Sequence, residues 1–278
     1  MDGAQRASSR RSTRLAMFVI FALAVAFGGL AAHPSATEAA SHVKVVIVVG
    51  PVEGSTAKYI SHAKSYAALA RSYGASVTEV YSPNATWTAV QKAAVGANIF
   101  IYLGHGNGHP SPYGAFSSLR KNGMGLNASA GHGNSNVKYW GQTYMRTGLH
   151  LAHNSVVLLN HLCYSAGNSE PGRADPTKSV AMQRADGYGT GFLRTGAKAV
   201  FANPNGSLSS IISDLFLSNK NMAQIFTTDP SFDGGRDFKF VSKHTPGSTV
   251  WMDPKAPGKY YHAVSGRLTL TAAMVRAG

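Results

Sequence analysis

Two uninterrupted apolar runs limit what this chain can become. The first, NIFIYLGHG at residues 98 to 106, carries a histidine just past its apolar part, and the second, SVVLLNHLC at residues 155 to 163, ends on the only cysteine. Runs of Val, Ile, Leu and Phe without polar alternation, bounded by Gly, Asn and Ser, belong to strands covered on both faces, the condition of a parallel sheet. Ligands of such sheets bind beyond the carboxyl ends of the strands. If the two runs are neighbours, His105 and Cys163 emerge side by side on that edge.

The flanking sequence supplies the alternation that a parallel sheet needs. VKVVIVVG (43 to 50) predicts a first strand, and Ser55 or Thr56 can cap a helix whose apolar face is Tyr59, Ile60, Ala63, Ala67 and Ala70, ending at Gly74. SVTEVYS (76 to 82) predicts a strand. A second helix follows from about 85 to 95, with Asn84 or Thr86 as cap and Gly96 as stop. Strand, helix, strand, helix, strand calls for a mostly parallel α/β sheet. The turn GPVEGS lacks the G-x-G-x-x-G spacing and puts Glu53 where a phosphate needs bare amides, so no nucleotide, and no other cofactor, is expected.

Residues 106 to 150 predict a long loop rich in Gly, Asn and Ser, with Tyr113, Phe116, Tyr139, Trp140 and Tyr144 interleaved, leaving from the edge that holds His105. After Cys163 come a polar loop, a helix from about 180 to 193 weakened by Gly187, Gly189 and Gly191, a buried strand at 197 to 204, and a helical pattern over 208 to 226. The tail predicts strands at FKFVSK, TVWM, YYHAVSG and RLTLTAA. The expected organisation is a leader over 1 to 40, an α/β domain over 41 to 228, and C-terminal strands over 229 to 278 that join the same domain.

The leader expectation rests on Arg6, Arg10, Arg11 and Arg14 ahead of an apolar stretch from Leu15 to Ala32, the plan of a signal peptide or an N-terminal anchor; either exports the body of the protein, as a secreted or surface-held chain. Without the leader, Lys+Arg falls from 26 to 22 and Asp+Glu from 12 to 10, leaving +12. That charge favours anionic cell-surface polymers as partners. The basic residues are scattered, so specific nucleic-acid binding is not expected. A single thiol forbids an internal disulfide; it pairs with another chain, lies inert, or does chemistry. Oligomeric state has no signature here.

A strand ending in His-Gly, a later strand ending in CYSAG, then a helix and GFLRTGAKAVFAN together resemble the caspase-like cysteine peptidases, most of all the CHAT-type, gingipain and clostripain branches, over residues 43 to 226. The resemblance implies a three-layer α/β sandwich with a mostly parallel caspase-like sheet, to which this chain adds a C-terminal β-rich extension. It also implies a secreted cysteine endopeptidase acting on peptide or protein substrates, with His105 as catalytic base, Cys163 as nucleophile, and the backbone amides of Gly106 and Cys163 as oxyanion donors. The chemistry is coherent: only the thiolate is nucleophilic, and a nearby imidazole both takes the thiol proton and returns it to the leaving amine.

The chain departs from that family in two places. Ala166 intervenes before Gly167, where Cys-x-Ser-Gly is common. His161 stands two before the cysteine, where Arg- or Lys-specific members carry an acid, so His161 is expected to line the substrate pocket and to become cationic on mild acidification. Asp186 is the acid expected to supplement it, with Asp175 and Glu170 as alternatives. Two other function classes stay open. His105, His109, His132, His153 and His161 would have to gather to make a zinc-dependent wall hydrolase, although no metal site is expected from their spacing. A caspase-like fold without catalysis would be a surface binding module.

Overall fold

Residues 43–278 are described by a computed structural model; the basic and apolar opening read as a leader lies outside the described residues. The chain runs β1 (Lys44–Val49), α1 (Thr56–Ser72), β2 (Ser76–Tyr81), α2 (Trp87–Ala94), β3 (Ile99–Leu103), β4 (Met124–Asn127), β5 (Val137–Trp140), α3 (Gln142–Gly148), β6 (Val156–Asn160), α4 (Lys178–Leu193), β7 (Ala199–Asn203), α5 (Ser209–Leu217), α6 (Met222–Thr228), β8 (Phe238–Val241), β9 (Thr249–Pro254), β10 (Tyr260–Gly266) and α7 (Ala272–Ala277). The main sheet has eight strands in the order β2-β1-β3-β6-β7-β10-β9-β8. Its first five strands are parallel, and the last three join antiparallel.

Strand pleating sorts the apolar runs onto two faces. Val45, Ile47 and Val49 point into one core with Ala63, Tyr66, Ala67 and Ala70 of α1 and the apolar residues of α5, α6 and α7. Val46 and Val48 point into the other with Val90 of α2, Met145 of α3, and Ala181, Ala185, Tyr188 and Phe192 of α4. This double burial is why β1, β3, β6 and β7 read as continuous apolar runs. Helix starts follow local chemistry: Thr86 and Thr177 accept from Ala89 N and Val180 N, and Asn221 with Gln224 closes a capping box at α6.

Three stretches differ from the sequence expectation. The segment from 106 to 150 is not a bare loop: β4 and β5 pair as an antiparallel ribbon, and α3 follows it. The helical pattern over 208 to 226 is split, α5 ending at Leu217 and α6 starting at Met222. RLTLTAA is not a strand. Its Leu270 and Ala272 are buried, but Thr271 caps α7 and Leu270 O accepts from Met222 N, so two-residue alternation there reflects a turn entering a helix. The glycines of α4 also have a packing role: a Cβ on Gly191 would collide with the carbonyl oxygen of Asn122, and one on Gly189 would lie 2.7 Å from Ser265 Cβ, so the helix approaches both the 106-to-123 segment and β10 closely.

Among the described residues no helix is long and apolar enough to cross a membrane.

Candidate active site

β3 and β6 are direct neighbours, with Leu103 opposite Asn160, so the two chain segments that follow them leave the sheet together. His105 and Cys163 both line one cleft of about 570 Å³ at that edge. Gly106 is where the two segments touch. A side chain there would run into the carbonyl of Cys163, so glycine is required by the approach of one backbone to the other. Among the described residues, neither the Gly106 nor the Cys163 amide donates to another residue.

Buried polar side chains hold both segments. The Tyr102 hydroxyl shares its one proton between the carbonyls of Gly125 (2.8 Å) and His105 (3.1 Å) and accepts from Gly125 N (2.9 Å), which ties the His105 turn to β4. Asn160 Nδ2 donates to Asn203 O and Gly206 O, while its Oδ1 accepts from Tyr66 of α1, so β6, β7 and α1 share one anchor beneath the cysteine. Beyond it the backbone turns sharply. His161 (φ 59°) and Tyr164 (φ 69°) are both left-handed, at a cost on the order of 1–3 kcal/mol each. Ser165 and Asn168 close this turn onto the carbonyl of Leu162. Arg184 of α4 then joins the two segments: its Nε donates to Pro110 O, its Nη1 to Asn168 O and Ser169 Oγ, and its guanidinium stacks on Tyr164.

Glu53 is the site residue that sequence reasoning missed as such. It follows β1, at the same edge as His105, and its Oε2 lies 3.4 Å from His105 Nε2. Its place in the turn just past β1 was legible, but the left-handed backbone (φ 43°) that accompanies its approach to His105 cannot be read from residue type. With Nε2 facing Glu53, Nδ1 is the nitrogen left for a thiol. Burial, and after it the negative charge of Glu170, push the Cys163 thiol up to about 11, so in this arrangement it rests protonated.

His161 reaches the site by a turn and not by strand alternation. β6 ends at Asn160, so His161 is not in the extended strand that would align it with Cys163 by alternation. The left-handed turn nevertheless brings it into a second cavity of about 340 Å³ shared with Cys163, Glu170, Asp175 and Tyr59. There it stacks on Tyr59, and its two nitrogens engage His62 Nδ1 (2.8 Å) and Pro204 O (3.1 Å). Burial first, then His62, pull its pKa down to about 4, so it stays neutral through the mildly acid range in which the sequence argument makes it cationic. Asp186 does not line this cavity or the cleft. Its carboxylate accepts from Ser242 Oγ and Lys243 N, anchoring the turn after β8 onto α4. Asp175 does line the cavity, paired with Lys259 at 2.8 Å.

The five histidines of the zinc alternative are not gathered. His153 precedes β6 at the opposite edge from His105, and His132 lies between β4 and β5. Among the described residues no three His, Cys, Asp or Glu side chains stand in metal-holding proximity. Compared with family models, curated proteins and solved structures, the chain matches none.

Proposed function

We propose that this protein is an exported cysteine endopeptidase of the caspase-like kind, acting through Cys163 and His105. The observation that carries the reading is that β3 and β6, adjacent and parallel, deliver the histidine and the lone cysteine into one cleft. Two cores with helices on each face of the sheet are what a three-layer caspase-like sandwich requires. The exported location rests on the arginines and apolar run of the opening.

In this reading His105 Nδ1 takes the Cys163 proton as the sulfur adds to the scissile carbonyl carbon. The carbonyl electron pair moves onto oxygen, which the amides of Gly106 and Cys163 stabilise. Collapse expels the leaving amine, which takes the proton from His105, and leaves a thioester on Cys163. Water then attacks the thioester, giving up its proton to His105, and the thiol is regenerated. Glu53, on the far nitrogen, orients the imidazole through the two transfers. A thiol poised near 11 means the thiolate forms only with the attack, as proton transfer to His105 accompanies addition.

That protonated resting thiol is also the observation favouring the second reading, a surface binding module with an inert cysteine. Cleavage-site profiling of a mixed peptide library decides between them. Wild-type protein is expected to cleave, and Cys163→Ala and His105→Ala each to lose at least about a thousandfold in kcat/KM while keeping the wild-type melting profile. Undiminished cleavage in either variant contradicts the dyad.

A further inference from the structure

The two cavities meet at Cys163 but are chemically unequal. His105 lines only the larger one. Since the imidazole must hand its proton to the departing amine, the segment that departs lies in the larger cleft, and the acyl side chain lies in the smaller cavity with His161 and Asp175. The charged side chains lining the larger cleft, apart from His105, are Arg120, Lys121 and Glu170. Glu170 is already engaged, accepting from the Tyr113 hydroxyl at 2.6 Å, and Glu53 faces His105. The charge of Glu170 also offsets part of that of Lys121, which Arg120 opposes, so these three side chains leave the cleft with two cations to one anion. Among the described residues the Arg120 guanidinium has neither an acid nor a hydrogen-bond acceptor, and it is exposed to the cleft. Lys121 is 2% exposed, and its ammonium is held only by neutral oxygens: Asn107 Oδ1 (2.8 Å), Ser111 Oγ (2.8 Å) and Tyr113 O (3.2 Å). An ammonium with no carboxylate in hydrogen-bond reach, beside Arg120 and only partly offset by Glu170, leaves a net positive field in the cleft, and the unpaired Arg120 guanidinium offers the planar fork that a carboxylate fits.

We propose that the cleft selects substrates carrying a carboxylate on the leaving segment, a few residues beyond the scissile bond, received by Arg120 with the charge of Lys121 beside it. This deepens the peptidase reading and rests on it. The carboxylate has two possible sources, an Asp or Glu side chain or the free C-terminus of a short leaving segment. The test therefore compares peptides with Asp against Asn on that side, each with a free or an amidated C-terminus, at low ionic strength. Wild-type protein is expected to favour the acid over its amide by about tenfold in kcat/KM, falling towards parity in salt. A preference for Asp over Asn that survives amidation assigns the side chain; equal cleavage of the Asp and Asn peptides, with loss on amidation, assigns the C-terminus.

Arg120→Gln is expected to abolish the preference, and so is Lys121→Met if that buried substitution folds. Arg267→Gln is the control, because Arg267 follows β10, antiparallel to β7, and is bonded to Lys198 at the opposite edge of the sheet. It should keep the preference. Cleavage of all four peptides at equal rates overturns this inference while leaving the peptidase standing. So does an equal loss in Arg267→Gln, which would assign the effect to the general basicity of the protein. No cleavage of any peptide, with Cys163 also inert to peptidyl acyloxymethyl ketones, removes the peptidase reading and this inference with it.

Discussion

Cys163 is the residue on which burial and chemistry pull in opposite directions. A thiol poised near 11 is ionised in only about three molecules in ten thousand at about pH 7.5, so a small reagent such as iodoacetamide should label it slowly. Thiolate content rises tenfold per pH unit below the pKa, so the labelling rate should climb steadily through the alkaline range. Glu170 adds to the shift by placing a negative charge near the sulfur. Replacing it, Glu170→Gln, lowers the thiol pKa and should speed labelling at every pH below about 10. A rate already high at neutral pH and unaffected by that substitution would mean the sulfur is not in the environment described. His161 shows the complementary lesson: its nearness to the cysteine in sequence was plain, but its protonation depends on burial and on His62, which arrives from α1, far away in sequence.

At the scale of elements, the histidine turn depends on a tyrosine in the strand before it. Tyr102 points into the core that β4 covers, and its hydroxyl serves the carbonyls of Gly125 and His105 and the amide of Gly125. Tyr102→Phe strands those buried groups. It is expected to destabilise the protein by about 1–3 kcal/mol in urea unfolding and to lower activity by loosening His105. A phenylalanine variant as stable as wild type would show that water takes over the hydroxyl's role. The parallel strands and their helices were legible because double burial writes itself as unbroken apolar runs, and caps such as Thr86 mark helix starts. The ribbon of β4 and β5 was not. It is four residues a side, pairs locally, and has its apolar positions, Met124 and Leu126, spaced among glycines that resemble a loop. Asp186 was misplaced for a related reason: an acid after the cysteine looks available until α4 turns it towards the β8 turn and its donors Ser242 and Lys243.

At the scale of the whole molecule, the C-terminal strands complete the sheet. β10 hydrogen-bonds along β7, and its Val264 packs in the same core as Ile47 and Phe201. A chain ended at residue 228 would leave β7 as a bare apolar edge and is expected to show no cooperative thermal transition. A truncated chain that melts sharply would make residues 229 to 278 a dispensable extension. The proposed activity requires one covalent bond, between Cys163 and the acyl group of the substrate. Intact-mass analysis after incubation with a peptidyl acyloxymethyl ketone, followed by fragment mapping, tests it most directly, because such a reagent enters as a substrate does and reports both the nucleophile and its base. One adduct is predicted, on Cys163, formed faster than the iodoacetamide adduct and lost in His105→Ala. No adduct, or one that forms as fast without His105, would contradict the assignment of this cleft as a cysteine peptidase site.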